Sequence, residues 1–297
     1  MDPVSSHVVL PLELEWQIFE ICACSRPVTI PKLMLVARRV KEWVEPLLYR
    51  TIVISVIYSI DGHPDFTEDI LWTVLRSKPA AFFRDSVRHV LIHGTWDDDA
   101  DWTDFVRFVL SICTGVQTLF VSQSHPLLEL STMPFGLKHL CTTFMPLLID
   151  IPSTSPLFAQ LTHLELIGPA STDENTDIST TVALLPRLTH LSFNEESEEA
   201  AVPFIPSYLT VLQNCASLSV LISLWDHDYP EDLLSQYVHA LAKDPRFVVL
   251  DGTEWFRDWE MEVLDGSGYW SQAENFIAKR RSGEIDAREY RMSRQYP

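Results

Sequence analysis

The sequence predicts an α/β protein in which a short helical head precedes repeated strand-and-helix units that form a parallel sheet. Three observations carry this prediction. A short apolar pattern recurs through the middle of the chain, segments between several copies have helical periodicity, and two amphipathic segments lie near the N-terminus. We therefore expect a head at residues 1–50, a repeat region at residues 51–253, and a C-terminal helical cap with a basic tail at residues 254–297.

The composition is that of a globular protein with no affinity for nucleic acid. Apolar residues make up 46% of the 297 residues, which is enough to form a buried core. The formal net charge is −19, so the chain repels phosphate backbones and we expect no nucleic-acid partner. The basic tail begins with Lys279-Arg280-Arg281. This triplet is either a weak nuclear localisation signal or, as we favour, the positively charged end of a helix.

The cysteines and the N-terminal sequence predict an intracellular protein. The cysteines number five, include no C-x-x-C pair and mostly lie among apolar neighbours, which is typical of reduced, buried thiols. The N-terminus lacks the basic start and apolar stretch of a signal peptide. The apolar run at residues 51–60 is far shorter than the ~20 residues that span a bilayer. We expect a cytoplasmic location, with the nucleus as the alternative, and no membrane partner.

One short pattern organises the middle of the chain: two apolar residues separated by two variable ones, followed by a strand-like tail. Successive copies begin 21 to 30 residues apart, close to the ~20–29 residues of leucine-rich repeats. We therefore predict an irregular leucine-rich-repeat-like solenoid with a parallel sheet, although other parallel α/β folds also have apolar strands at such intervals. TIVISVI after Arg50 is expected to add a first strand, and RFVVLDGT from Arg246 a last one. The six clear copies are VRHVLIHG from Val87, VQTLFVSQ from Val116, LKHLCTTF from Leu137, LTHLELIG from Leu161, LTHLSFNE from Leu188 and LSVLISLW from Leu218.

Alternation along these strands separates a core row from a histidine row. The fixed apolar positions, such as Leu161 with Leu164 and Leu188 with Leu191, should point into the core. The position between them lies on the opposite, concave face, and four of the six copies carry histidine there. We expect this face to be either plain solvated surface or a partner-binding face that gains positive charge as the pH falls below ~6.5. The residues predicted for partner binding are His139, His163, Glu165, His190 and Ser192.

Helical periodicity between the strands predicts crossover helices. One is expected to begin at residues 101–104, another after Ser207 and a third after Asp232. The acidic run at residues 97–101 is interpreted as the capped N-terminus of the first helix, with a divalent-cation site as the alternative. The polar stretches at residues 171–177 and 194–199 are interpreted as surface connectors, with recognition loops as the alternative.

Two amphipathic segments predict the helical head. Pro11 suits the first turn of a helix, whose apolar stripe would consist of Leu14, Ile18, Ile21 and Cys22. A second helix is expected to open at Pro31 and to stop at Pro46. Its apolar face would consist of Ile30, Leu33, Met34, Ala37, Val40 and Val44. Helices this short must dock either on a partner or on the end of the repeat region.

The segment LPLELEWQIFEICACSRPVTIPKLMLVARRVKEWVEPLLYRTIVI, which starts at Leu10, resembles the F-box. The matching features are Leu10-Pro11, Glu13-Leu14, Ile18-Phe19, and a block that consists of Leu33, Val36, Ala37-Arg38-Arg39 and Trp43; together they cover about a sixth of the chain. The resemblance implies docking on the Skp-type adaptor of a cullin ubiquitin ligase. The residues that it implies for adaptor binding are Leu10, Pro11, Leu14, Ile18, Leu33 and Val36.

Head and repeats together resemble the F-box leucine-rich-repeat class, particularly the divergent F-box-like proteins numerous in mushroom-forming fungi. WSQAENFIAKRRSGEID, from Trp270, also resembles the ending of those fungal proteins. The function implied is recruitment of an unknown protein substrate to an SCF-type ubiquitin ligase. The alternative is a stand-alone binding scaffold whose head only caps the solenoid. The chain departs from the F-box pattern in the connector at residues 23–29, which lacks an acidic-Pro start, and at Leu48-Tyr49, where Leu-Trp is usual.

The sequence predicts neither an enzyme nor a resident metal or cofactor. It contains no G-x-x-x-x-G-K-[ST] or G-x-G-x-x-G phosphate loop and no H-E-x-x-H. Gly266-Ser267-Gly268 is interpreted as a surface turn. Cys141 and His139 share a strand face, but we interpret the thiol as passive. A thiol enzyme, or a metal bridge across the three histidines, is the least favoured alternative.

Overall fold

The structure, a computed structural model, describes residues 10–55, 57–94, 100–121, 131, 136–143, 151–167, 178–195, 205–225, 240–251 and 254–293. Nine strands in these ranges form one sheet, in which every adjacent pair is parallel and the strand order follows the chain. The predicted α/β class with a parallel sheet is confirmed. The strands are β1 Thr51–Ser55, β2 His89–His93, β3 Thr118–Val121, β4 His139–Thr143, β5 His163–Ile167, β6 His190–Glu195, β7 Val220–Trp225, β8 Phe247–Asp251 and β9 Arg291–Met292.

The sheet register places one apolar residue of each of the first eight strands in a single row. Leu164 pairs with Leu140 on one side and with Leu191 on the other. These side chains are almost completely buried, as are Leu161 and Leu188, so the predicted core positions are confirmed. The row consists of Ile52, Val90, Leu119, Leu140, Leu164, Leu191, Leu221 and Phe247.

The main core lies between this row and the helices that connect the strands. Thr67 starts the first of these helices, because its hydroxyl accepts a hydrogen bond from the backbone N–H of Ile70. The helices expected near residue 101 and near Ser207 are present. They contribute Phe105 and Tyr208 to this core, and both side chains are almost completely buried. The helix expected after Asp232, the acidic run at 97–99 and the polar stretches at 171–177 and 196–199 lie outside the described residues. The connecting helices are α4 Glu68–Ser77, α5 Ala80–Ser86, α6 Ala100–Ile112, α7 Ile178–Ala183 and α8 Ile205–Asn214, with a 3₁₀ turn at Pro156–Phe158.

Two C-terminal helices, α9 Trp255–Leu264 and α10 Tyr269–Ser282, cover the other face of the sheet. Trp259 of α9 packs on Leu91 and Phe120 in one apolar cluster. Tyr269 and Trp270 of α10 pack in a second cluster, with side chains of β7 and β8. A solenoid of the predicted kind leaves its concave face open. The prediction of a solenoid is therefore corrected to a parallel sheet with helices on both faces.

The head contains three short α-helices rather than two: α1 Leu12–Ser25, α2 Ile30–Leu33 and α3 Arg38–Leu48, with a 3₁₀ turn at Pro27–Thr29. The helix predicted from Pro31 onward is interrupted, because Ala37 adopts an extended backbone before α3. Pro46 lies inside α3 and does not stop it; near the C-terminal end a proline removes one backbone hydrogen bond. The head has its own small core of Ala23, Ile30, Val40 and Val44.

The head joins the body through the end of α3. The Tyr49 ring packs against Phe66, Phe82 and Phe83, with centroid distances of 5.9, 5.7 and 5.7 Å. The Lys78 ammonium lies 2.9 Å from a Glu45 carboxylate oxygen. Tyr49 is thus an aromatic anchor between head and body. Across the described ranges, no helix is both long and apolar enough to cross a membrane.

Candidate functional site

The head carries most of the apolar surface that the described residues leave exposed. Of thirteen large apolar side chains that are exposed in these residues, nine lie between residues 10 and 36. Scattered apolar residues are normal on a protein surface, but a concentration of this kind marks an interaction site. We call these nine the head surface. They are Leu10, Leu12, Leu14, Trp16, Ile18, Ile21, Val28, Leu35 and Val36.

The six residues predicted for adaptor binding fall mainly on this surface. Leu10, Leu14, Ile18 and Val36 are 43 to 61% exposed, and Pro11 is exposed as well. Leu33 is the exception, because it is half-buried against the small core of the head. The structure therefore places five of the six in solvent and assigns the sixth a packing role.

Packing inside the head explains why these side chains face outward. The opposite side of α1 carries Phe19 and Ala23, which contact the small core. Glu15 also faces α3 from this side, and its carboxylate lies 2.6 Å from the Arg39 guanidinium. Leu14 and Ile18 lie away from this inner side and remain exposed.

Leu35 is the most exposed of the head-surface residues that sequence periodicity missed. It is 86% exposed, more than any other apolar residue of the surface. A continuous helix from Pro31 would place Leu35 off the apolar face, so the sequence gives no reason to single it out. The interruption of the helix between Leu33 and Arg38 creates its exposure, together with that of Val36.

The histidine row of the sheet is the second candidate site. His139, His163 and His190 are direct neighbours in the register, and their rings are stacked with centroid distances of 3.9 and 4.0 Å. The Trp270 ring of α10 meets the rings of His163 and His190 edge-on, at 5.3 and 5.6 Å. The predicted neighbourhood of the three histidines is confirmed, but the prediction of a solvated face is wrong at these residues, because α9 and α10 cover them.

Polar contacts connect this row to the covering helices, and we call the region the polar seam. The Tyr269 hydroxyl donates to a Glu165 carboxylate oxygen at 2.9 Å and lies 3.0 Å from the Ser192 hydroxyl. His190 Nε2 lies 3.0 Å from a Glu274 oxygen, and His139 Nδ1 lies 3.6 Å from a Glu262 oxygen. The strand side of the seam consists of His139, Cys141, His163, Glu165, His190 and Ser192, and the helix side of Glu262, Tyr269, Trp270 and Glu274.

Burial keeps the imidazoles of the seam neutral. Desolvation, with a smaller contribution from neighbouring histidines, lowers the pKa of His139 to about 4 and that of His163 to about 2. Desolvation also lowers the pKa of His190, although Glu274 acts in the opposite direction. The expected gain of positive charge as the pH falls is opposed while the helices cover the row, since burial favours the neutral form of each ring.

The seam does not favour nucleophilic chemistry. The Cys141 thiol is buried, and desolvation raises its pKa well above the ordinary value, with Glu165 adding to the shift. A cavity of about 30 Å³ beside His139, Glu262 and Trp270 has room for about one water molecule. Among the described residues, no three His, Cys, Asp or Glu side chains are grouped so that they could hold a metal ion.

The sequence did not identify the helix side of the seam. Tyr269, Trp270, Ala273 and Ile277 are buried at helical spacing, which indicates an apolar stripe on α10. That stripe could have predicted a docked helix, but not the surface on which it docks. Comparisons with protein-family models, with curated proteins and with solved structures find no match for this chain.

Proposed function

We propose that this protein is an F-box-like binding module, which recruits a protein substrate to an SCF-type ubiquitin ligase. In this proposal the head docks on the Skp-type adaptor and the body holds the substrate. Such a role places the protein in the cytoplasm or nucleus. The observation that carries the proposal is the head surface, where nine large apolar side chains are left exposed by a head whose own core is already complete.

Burial of the head surface against a partner would supply the energy for docking. Transfer of one large aliphatic side chain out of water contributes ~1.5–3 kcal/mol when burial is complete. Leu14, Ile18 and Leu35 are together large enough to form the apolar centre of an interface, where a few side chains carry most of the binding energy. The F-box resemblance lies in the same segment, from Leu10 to Trp43.

One property of the chain supports the recruitment role. The formal charge of −19 favours a partner with a basic surface.

The alternative function is a stand-alone scaffold whose head only caps the end of the sheet. Packing of Tyr49 against Phe82 and Phe83 favours it, since this contact attaches the head to the body. The capping contact, however, uses the end of α3 and leaves Leu14, Ile18 and Val36 exposed. A cap alone therefore gives no reason for the head surface to be apolar.

A charge introduced into the head surface tests the proposal. We expect Leu14→Asp to weaken capture of a Skp-type adaptor by at least ~2–4 kcal/mol, because docking would bury an unpaired carboxylate. The melting temperature should be unchanged, since Leu14 is 46% exposed. The measurement is pull-down of the adaptor by the full chain, with a thermal scan of each variant.

Ile70→Asp is the matched control. Ile70 is also 46% exposed, but it lies on α4, and a carboxylate in the first turn of a helix is tolerated. This variant should retain the adaptor. Undiminished capture by Leu14→Asp would refute docking through the head surface, and loss of its thermal transition would support the capping function instead.

A further inference from the structure

The two C-terminal helices are held by separate apolar clusters with the polar seam between them. On the α9 side, Trp259 packs with Leu91 and Ile167. On the α10 side, Trp270 and Ile277 pack with residues of β7 and β8. The middle of the cover, over β4 to β6, instead rests on three histidines and a set of carboxyl and hydroxyl groups.

Stacking makes the histidine row sensitive to charge. Adjacent rings lie 3.9 and 4.0 Å apart, so a second proton in the row meets the first at close range with little intervening water. We propose that the His139–His163–His190 stack is an acid-sensitive latch, which holds α9 and α10 on the sheet while its rings are neutral and releases them when its rings are protonated. The latch does not depend on adaptor binding by the head.

Acid favours release because the rings bind protons more readily once they reach water. Their pKa is depressed under the helices, and an exposed histidine has a pKa near ~6.5. Closure is therefore fully favoured above pH ~6.5 and is lost as the pH falls below that value. Each ring weakens closure about tenfold per pH unit until its own depressed pKa is reached.

Charged groups around the stack modify this response without reversing it. Lys138 on β4 further lowers the pKa of His139, and Glu274 on α10 raises that of His190. Glu262 on α9 faces His139; its own pKa is raised by burial and by Glu274 and Asp265, so its protonation favours the closed form. Glu165 on β5 and Asp258 on α9 also line this region. The raised pKa of Glu262 opposes the response of the three rings, because its carboxyl binds a proton more readily in the closed form.

Release exposes the face of the sheet that the sequence assigned to a partner. Glu165 and Ser192 would lose their contacts with the Tyr269 hydroxyl and become accessible. The latch thereby makes access to this face dependent on pH. The pairing of β9 with β8 keeps the chain attached beyond the helices.

Hydrogen exchange of the full chain between pH 7.5 and 5.0, corrected for the intrinsic effect of pH on exchange, tests the latch. We expect peptides from Trp255–Leu264 and Tyr269–Ser282 to lose protection on the order of 10³-fold at pH 5.0, because each of two rings weakens closure about 30-fold between pH ~6.5 and 5.0. Strands β4 to β6 should stay protected, because their amides bond to neighbouring strands. Constant protection of both helices, or equal loss in the connecting helices α4 to α6, would overturn the proposal.

Substitutions in the histidine stack provide a second test of the latch. Replacing His139, His163 and His190 together with Asn should flatten the pH response, and His163→Gln alone, which changes the central ring, should reduce it while preserving the fold. His63→Asn is the control, because His63 lies in the loop after β1 and outside the stack, so its pH response should equal that of the wild type. A wild-type response in His163→Gln would show that the histidines are not the sensor.

Discussion

Replacing Arg280 with methionine is expected to destabilise the protein by about 3–5 kcal/mol, because several backbone carbonyls lose a charged donor at once. Arg280 is 4% exposed and donates hydrogen bonds at 2.9 Å to the carbonyl oxygens of Phe247, Ala242 and Ala287. These bonds tie α10 to β8 and to the segment before it. Methionine keeps the apolar stem but satisfies none of the carbonyls.

Arg281→Met is the matched control for this measurement. Arg281 is the next residue on α10, and it is exposed. Its loss should change stability by less than about 0.5 kcal/mol, as is usual for surface substitutions. Urea unfolding followed by circular dichroism gives both free energies. Equal values for the two variants would contradict the role of Arg280 as the attachment of α10.

Replacing Leu164 with alanine is expected to cost ~2–5 kcal/mol, since it removes a completely buried side chain from the middle of the apolar row. Leu140 and Leu191 flank it on neighbouring strands, and rigid sheet pairing prevents them from closing the cavity. Leu184→Ala is the control, because Leu184 is 61% exposed. If Leu164→Ala unfolded at the same urea concentration as the control, the row would not be the core of the sheet.

The features that the sequence predicted are those that local alternation determines. Leu164 and His163 are adjacent, and the two-residue period of a strand is sufficient to assign them to opposite faces. The repeat then places His139, His163 and His190 side by side. No long-range information is needed for either conclusion.

The features that the sequence missed depend on contacts between distant segments. Trp270 contacts His163, more than 100 residues earlier in the chain, and no local pattern specifies that pairing. The open partner face was predicted because the apolar stripe of α10 was not assigned to any surface. In the head, apolar periodicity predicted one continuous helix from Pro31, but the extended backbone at Ala37 interrupts it. The exposure of Leu35 follows from that interruption.

Calorimetric titration of the full chain with a purified Skp-type adaptor tests the central claim most directly. The head surface predicts saturable one-to-one binding with a negative change in heat capacity, which is the signature of apolar burial. Leu14→Asp should weaken the binding by at least ~2–4 kcal/mol, and Ile70→Asp should leave it unchanged. Absence of binding at micromolar concentrations of both proteins, with the chain folded, would contradict the claim that the head is an adaptor-docking module.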